Sequence, residues 1–176
     1  MTDRRPTYRA KYHRWLVMPC HPPNIPSIIA AFERIPHCRE LGVTVVELHH
    51  GHGLMYVPYH EKLIGNPRTG ALHGGVVTTL MDTIGAVVVM ASVPASMPLA
   101  TLDLRIDYLR LAAAGRDIFA SAECYKVTAH VAFVRGLAYQ ETFRDPIAHC
   151  ASTYMLGGSG FSPRATSEAK GGGQPC

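Results

Sequence analysis

No apolar stretch of this chain is both long and clean enough to cross a bilayer. The longest candidate, Val76 to Val93, carries Asp82, threonines and a glycine, and reads as a buried helix. The five cysteines (Cys20, Cys38, Cys124, Cys150, Cys176) form an odd set without a CxxC pair, which argues against a disulfide framework or a zinc ribbon and for reduced thiols. GxSxG is absent too, and with it the nucleophile elbow of an α/β-hydrolase. There is no internal repeat. Charge is sparse, at 17% of residues and a formal net +4, and apart from Arg4, Arg5, Arg9, Lys11 and Arg14 the basic residues are scattered, so no nucleic-acid footprint is indicated. The basic arm lacks the apolar core of a signal peptide, and the expected compartment is the cytoplasm, with no membrane partner.

The chain does have material for a core: 176 residues, 47% of them apolar, suit a single globular domain. Residues 1–39 read as the basic arm followed by a short amphipathic helix at Asn24 to Arg34, where Pro26 sits near the start and Ile28, Ile29 and Phe32 have helical spacing. Residues 40–156 read as the folded domain. Residues 157–176, rich in Gly, Ser and Pro, read as a flexible tail. Within the domain, Leu41 to Leu48 and Leu54 to Tyr59 are strand-like runs around the turn HHGHG. A polar loop and a long helix from about Gly74 to Val93 follow. TLDLRIDY then alternates, which places Leu102, Leu104, Ile106 and Tyr108 on a buried face and Thr101, Asp103, Arg105 and Asp107 on a polar one. Three further runs, Asp117 to Thr128, Val131 to Phe143 and Ile147 to Leu156, are joined by turns too short for crossover helices, so the sheet is expected to be antiparallel. One long helix set against such a sheet is an α+β layer in which the sheet curves around the helix.

The stretch NPRTGALHGGVVTTLMD, with His73, Gly74 and Gly75 and an Asp nine positions after the histidine, resembles the signature of the PaaI-type acyl-CoA thioesterases of the 4-hydroxybenzoyl-CoA thioesterase superfamily. The strand TLDLRIDYLR fits the same pattern, and the resemblance covers roughly residues 40 to 156. It implies the hotdog fold, an acyl-CoA substrate and a homodimer often doubled into tetramers; with no metal-ligating cluster in the sequence, neither metal nor cofactor is expected. It also implies an amide residue before the His-Gly-Gly, for which Asn66 is the nearest match although it stands one position too far upstream. A Ser or Thr at the start of the next strand, here Thr101, is implied to position the attacking water, although the alternation turns Thr101 away from the core.

The residues support this chemistry on their own terms. A thioester carbonyl under attack develops an oxyanion that needs preorganised N–H donors, and a helix start offers unpaired N–H groups at the positive end of its dipole. Gly75 is the donor expected here, since glycine lets a substrate approach the backbone. Tight packing of helix on strand is the other use of two glycines. Asp82 lies seven residues on, about two turns, and shares a face with Gly75, Thr78 and Thr79. A carboxylate in an apolar helix costs several kcal/mol unless paired, and Thr78 or Thr79 supplies only part of that. The acid is either a hydrogen-bonded structural Asp or, with the motif around it, the general base or the nucleophile. His73, just before a helix, suits a backbone hydrogen bond better than a base.

His49, His50 and His52 have no zinc-site spacing and read as a solvated turn. Arg105, Arg110, Lys126 and Arg135 are available to coenzyme A phosphates but are not assigned. Phe32, Met55, Tyr56 and Met81 are candidate walls for the acyl group. Two other functions remain open: a hotdog hydratase or dehydratase, which would want a His/acid pair not found here, and a non-catalytic acyl-CoA-binding or regulatory module. The separation of Gly75 from Asp82, roughly 10 Å of helix rise, is too great for one helix to serve one carbon with both, so a site shared between two subunits is expected.

Overall fold

The computed structural model describes residues 24–94 and 97–157; the arm before Asn24, the tail beyond Gly157, and with them Cys20 and Cys176, lie outside the described residues. Helix α1 (Ile25–Glu33) starts where Asn24 accepts a hydrogen bond from the Ser27 N–H, with Pro26 in the first turn, where a missing N–H costs nothing. A second short helix, α2 (Pro36–Leu41), occupies ground where the first strand was expected to begin. Pro36 opens it, and Gly42, at φ +74°, closes it in a left-handed conformation that a side chain rarely adopts. Strand β1 (Thr44–His49) therefore begins after Gly42 and pairs with β2 (His52–Val57) across a His50–Gly51 turn. The expected polar loop contains one 3-10 turn (Glu61–Leu63) and a two-stranded ribbon, β3 (Ile64–Asn66) with β4 (Ala71–Leu72). Helix α3 (Gly74–Met90) follows, three residues shorter than expected, because the chain is already turning at Ala91 and Ser92.

The remaining strands are β5 (Leu99–Tyr108), β6 (Ile118–Val127), β7 (Val131–Tyr139) and β8 (Ala148–Leu156). They complete one six-stranded antiparallel sheet in the order β1-β2-β6-β7-β8-β5, curved around α3 as the hotdog fold requires. The chain crosses from the β5 edge to the middle of the sheet through residues 109–117. Buried Gln140 fastens this crossing: its amide donates to the Ala113 and Arg116 carbonyls and accepts from the Ala113 N–H.

Helix α3 is apolar on every side but one. Leu80, Met81, Ile84, Val87, Val88 and Val89 are fully buried, each worth about 1.5–3 kcal/mol of burial. They meet a sheet face of small residues, Gly53, Ala120, Ala122, Ala132 and Ala138, which lets the helix sit close. A Cβ on Gly53 would lie 2.9 Å from Ile84 Cδ1. At Gly85 the fit is tighter. A Cβ there would strike the hydroxyl of fully buried Tyr154, whose ring is itself pinned because that hydroxyl donates to the Asp82 carbonyl at 3.1 Å. Gly85→Ala is expected to destabilise by about 1–3 kcal/mol even after the helix-propensity gain of about 1 kcal/mol, lowering Tm by roughly 5–10 °C. An unchanged melting temperature would show that Tyr154 moves aside freely.

The alternation read from TLDLRIDY misplaces two residues. A bulge between Thr101 and Asp103 inserts Leu102 as an extra residue opposite β8, which reverses the alternation there. Thr101 consequently faces the helix with Leu104, Ile106 and Tyr108, and Leu102 stands 55% exposed. Nor is the expected buried face fully covered: Leu104 and Ile106 are half-buried and Tyr108 is 51% exposed, because β5 is the sheet's outer strand.

Candidate active site

The one uncovered stripe of α3 carries Gly75, Thr78, Thr79, Asp82, Thr83 and Ala86, all exposed or half-buried. Asp82 is therefore not buried as the sequence pattern suggested; of the sheet, only β5 reaches the stripe of small polar residues around it, through Thr101, Leu104 and Tyr108, and leaves it half open. The acid lies in the wall of a cleft of about 450 Å³, between α3, the α1–α2 segment (Phe32, Ile35, His37, Cys38) and Leu104 of β5. Its hydrogen-bond partner is Thr101, whose Oγ1 donates to Asp82 Oδ1 at 2.9 Å. Of the partners expected from spacing, Thr78 is engaged elsewhere, and no hydrogen bond joins the Thr79 hydroxyl to Asp82. The Thr78 hydroxyl donates to the Gly74 carbonyl, and the Thr79 carbonyl accepts from Thr83. The bulge in β5 is what brings Thr101 within reach, so sequence alternation could not find this pair.

At the helix start, His73 is the N-cap residue, and its Nδ1 accepts from the Gly75 N–H at 2.9 Å, which leaves the ring proton on Nε2. The Gly75 N–H is thus already engaged, whereas the Gly74 N–H has no partner among the described residues. Tyr108, read from the sequence as part of an apolar face, spans the first turn: its hydroxyl donates to the Gly74 carbonyl at 2.9 Å and lies 2.7 Å from Thr78 Oγ1. A tyrosine closing an alternating strand needs a hydroxyl partner, and that was the signal available for it. Asn66 is a turn residue in this structure, its side chain accepting from the Arg68 N–H and its carbonyl from Thr69 and Gly70. It does not line the cleft.

Of the site residues named from sequence, His73 and Gly75 stand at the start of α3 and Asp82 at its middle, joined to Thr101 of β5, while Asn66 stands apart at the turn after β3. Of the candidate acyl walls only Phe32 reaches the cleft; Met81 on the core side of α3 and Met55 on β2 are buried between helix and sheet, and Tyr56 stacks on Phe119 on the sheet's other face. Burial pushes the Cys38 thiol up, against a hydrogen bond with Thr83, so the cleft meets it as a neutral, apolar surface. Cys150, under the helix, is pushed up to about 11 by burial. Arg105, Arg110 and Arg135 are each paired with a carboxylate. A larger cavity of about 620 Å³, lined by Glu47, His49, Glu123 and Arg135 among others, belongs to the opposite face of the sheet, where no residue of α3 reaches.

Comparison with known proteins places the chain by family and fold. The thioesterase superfamily model matches residues 69–146, a span that includes His73, Gly75, Asp82 and Thr101 and leaves out Asn66. A Pseudomonas aeruginosa protein of known structure is 39% identical over 74% of this chain and 97% of that one, with a TM-score of 0.68. A Halobacterium salinarum protein named as a candidate esterase is 39% identical over 90 residues, 49% of this chain and 58% of that protein, so the match spans under two thirds of that relative's length. The phenylacetic acid degradation protein PaaI of Thermus thermophilus shares the fold at 23% identity, with a TM-score of 0.60 over 68% of this chain and 97% of its own. The chain belongs to the thioesterase superfamily. Among the described residues no helix is long and apolar enough to cross a membrane.

Proposed function

We propose that this protein hydrolyses the thioester of an acyl-CoA, with Asp82 acting on the carbonyl as general base through a water or as nucleophile. The observation that carries the reading is the Asp82–Thr101 hydrogen bond in the wall of an open cleft, with Asp82 on the same helix whose first turn presents the Gly74 N–H, unpartnered among the described residues. In the base pathway Asp82 takes a proton from a water that attacks the carbonyl carbon, and the tetrahedral oxyanion is met by a helix start. The coenzyme A thiolate then leaves and takes up a proton. In the nucleophile pathway Asp82 attacks the carbonyl and expels the coenzyme A thiolate, which takes up a proton, to leave a mixed anhydride that water opens to the free acid and the Asp82 carboxylate. Either way the carboxylate must be held at a fixed angle, and Thr101 does that.

The first-turn N–H groups of Gly74 and Gly75 lie seven or eight residues from Asp82, roughly 10–12 Å along the axis, whereas donor and attacking group must each come within about 3 Å of the reacting carbon or one water further. A two-fold dimer resolves this by laying a second α3 antiparallel to the first, so that Asp82 and Thr101 of one chain face the helix start of the other. The outer strand β5 supports that arrangement: its free edge carries exposed Leu102 and Tyr108, followed by exposed Leu109 and Leu111, an apolar margin that monomers seldom leave uncovered.

Thiol release from acyl-CoAs, followed spectrophotometrically, tests the activity, and its absence across acetyl to hexadecanoyl thioesters would favour the non-catalytic binding module instead. Thr101→Val removes a hydrogen bond to a charged group worth about 1.5–3 kcal/mol, so kcat is expected to fall roughly tenfold to hundredfold, with Thr101→Ser retaining most of it. Equal activity of the Val variant would show that Thr101 does not hold the acid.

A further inference from the structure

The cleft has two chemically different ends. Around Asp82 its wall is polar, but the hydroxyls of Thr78 and Thr83 are turned back onto the helix carbonyls of Gly74 and Thr79 and offer the cleft little beyond their methyl groups. Past Asp82 the α3 wall continues with Thr83 and Ala86, and the facing wall is built from Phe32, Ile35, His37 and Cys38, apolar apart from the His37 imidazole, while Leu104, between Thr101 and Tyr108 on β5, lies toward the helix start. Ala86 is the last residue of α3 in this wall, and it stands one helical turn past Asp82.

Resting on the hydrolase reading above, we propose that this apolar end receives the acyl chain and that Ala86 and Phe32 set its length. The four residues from Asp82 to Ala86 rise about 6 Å, so a carbonyl held beside Asp82 leaves room for a straight acyl chain of about four to six carbons. Longer chains would have to displace Phe32 or leave the cleft. Acetyl groups would leave apolar surface uncovered and forfeit its burial.

The test is a kcat/KM profile on acetyl-, butanoyl-, hexanoyl-, octanoyl-, dodecanoyl- and hexadecanoyl-CoA for the wild type and for Ala86→Leu and Phe32→Ala. The wild type is expected to peak at about four to six carbons and to fall roughly tenfold or more by dodecanoyl, given that each methylene is worth about tenfold or more in a fitted pocket. Ala86→Leu is expected to lower the hexanoyl-to-acetyl ratio by roughly tenfold or more, and Phe32→Ala to raise the octanoyl-to-hexanoyl ratio. Opposite shifts distinguish this role from loosened folding, which would lower all substrates together. A wild type that hydrolyses the panel with a flat or long-chain profile, or variants that leave both ratios in place, overturns this inference and leaves the hydrolase reading standing. No hydrolysis of any member overturns the hydrolase reading, and the length rule with it.

Discussion

Asp82→Asn is expected to lower acyl-CoA hydrolysis by about two to four orders of magnitude, the usual cost of losing one catalytic acid or base. The substitution is nearly isosteric, and the side chain is half-buried at the edge of an open cleft, so the fold has little reason to respond. Asn also keeps an oxygen able to accept from the Thr101 hydroxyl, so the local hydrogen bond survives while the negative charge and the basic oxygen are lost. The measurement is kcat with Tm alongside. Near wild-type turnover at unchanged stability would make Asp82 a structural acid and end this mechanism. Lost turnover with a lowered Tm would call for Asp82→Ser, which changes the volume differently, before the loss is assigned to chemistry.

Subunit complementation has the next largest expected effect. Gly75→Val places a Cβ about where it would lie 2.8 Å from His73 Nδ1, which disrupts the cap and obstructs the helix start, so this variant is expected to be inactive for a reason unrelated to Asp82. After equal amounts of Asp82→Asn and Gly75→Val protein are dissociated and reassociated, about half of the dimers are hybrids, and each hybrid holds one wholly wild-type site of two if the sites are shared across the two-fold. Activity should rise from near zero to about a quarter of the wild-type value. Demonstrated exchange of subunits without recovery would place each site within one chain. Substantial activity in Gly75→Val alone would remove the helix start from the mechanism.

The two halves of the candidate site differed in how far sequence could reach them. The His73–Gly75 turn and the Asp82 position are local: helical spacing puts residues three, four and seven apart on one stripe wherever the helix lies, so their common face was legible before any packing was known. Their partners were not. Thr101 lies nineteen residues beyond Asp82 and on the wrong side of a perfectly alternating strand; one extra residue, Leu102, turns it inward. The choice of Asn66 as a polarising amide rested on motif position alone, and its side chain forms a local turn with Arg68.

Composition and periodicity determined the single long helix, the antiparallel run of strands, the apolar faces that join them and the one acid set among small residues. Those properties depend on side chains within a few positions of each other, where backbone geometry is nearly constant. Tertiary structure alone decided that α2 runs into the first residue of the expected strand and Gly42 delays its start to Thr44, that β5 lies at an edge of the sheet with its apolar residues half-covered, and that Asp82 opens onto a cleft rather than into the core. Each of these depends on which distant strand a segment pairs with and on where a bulge interrupts that pairing. A single inserted residue costs little locally, yet it exchanges the two faces of a strand, and no pattern confined to the strand itself records it.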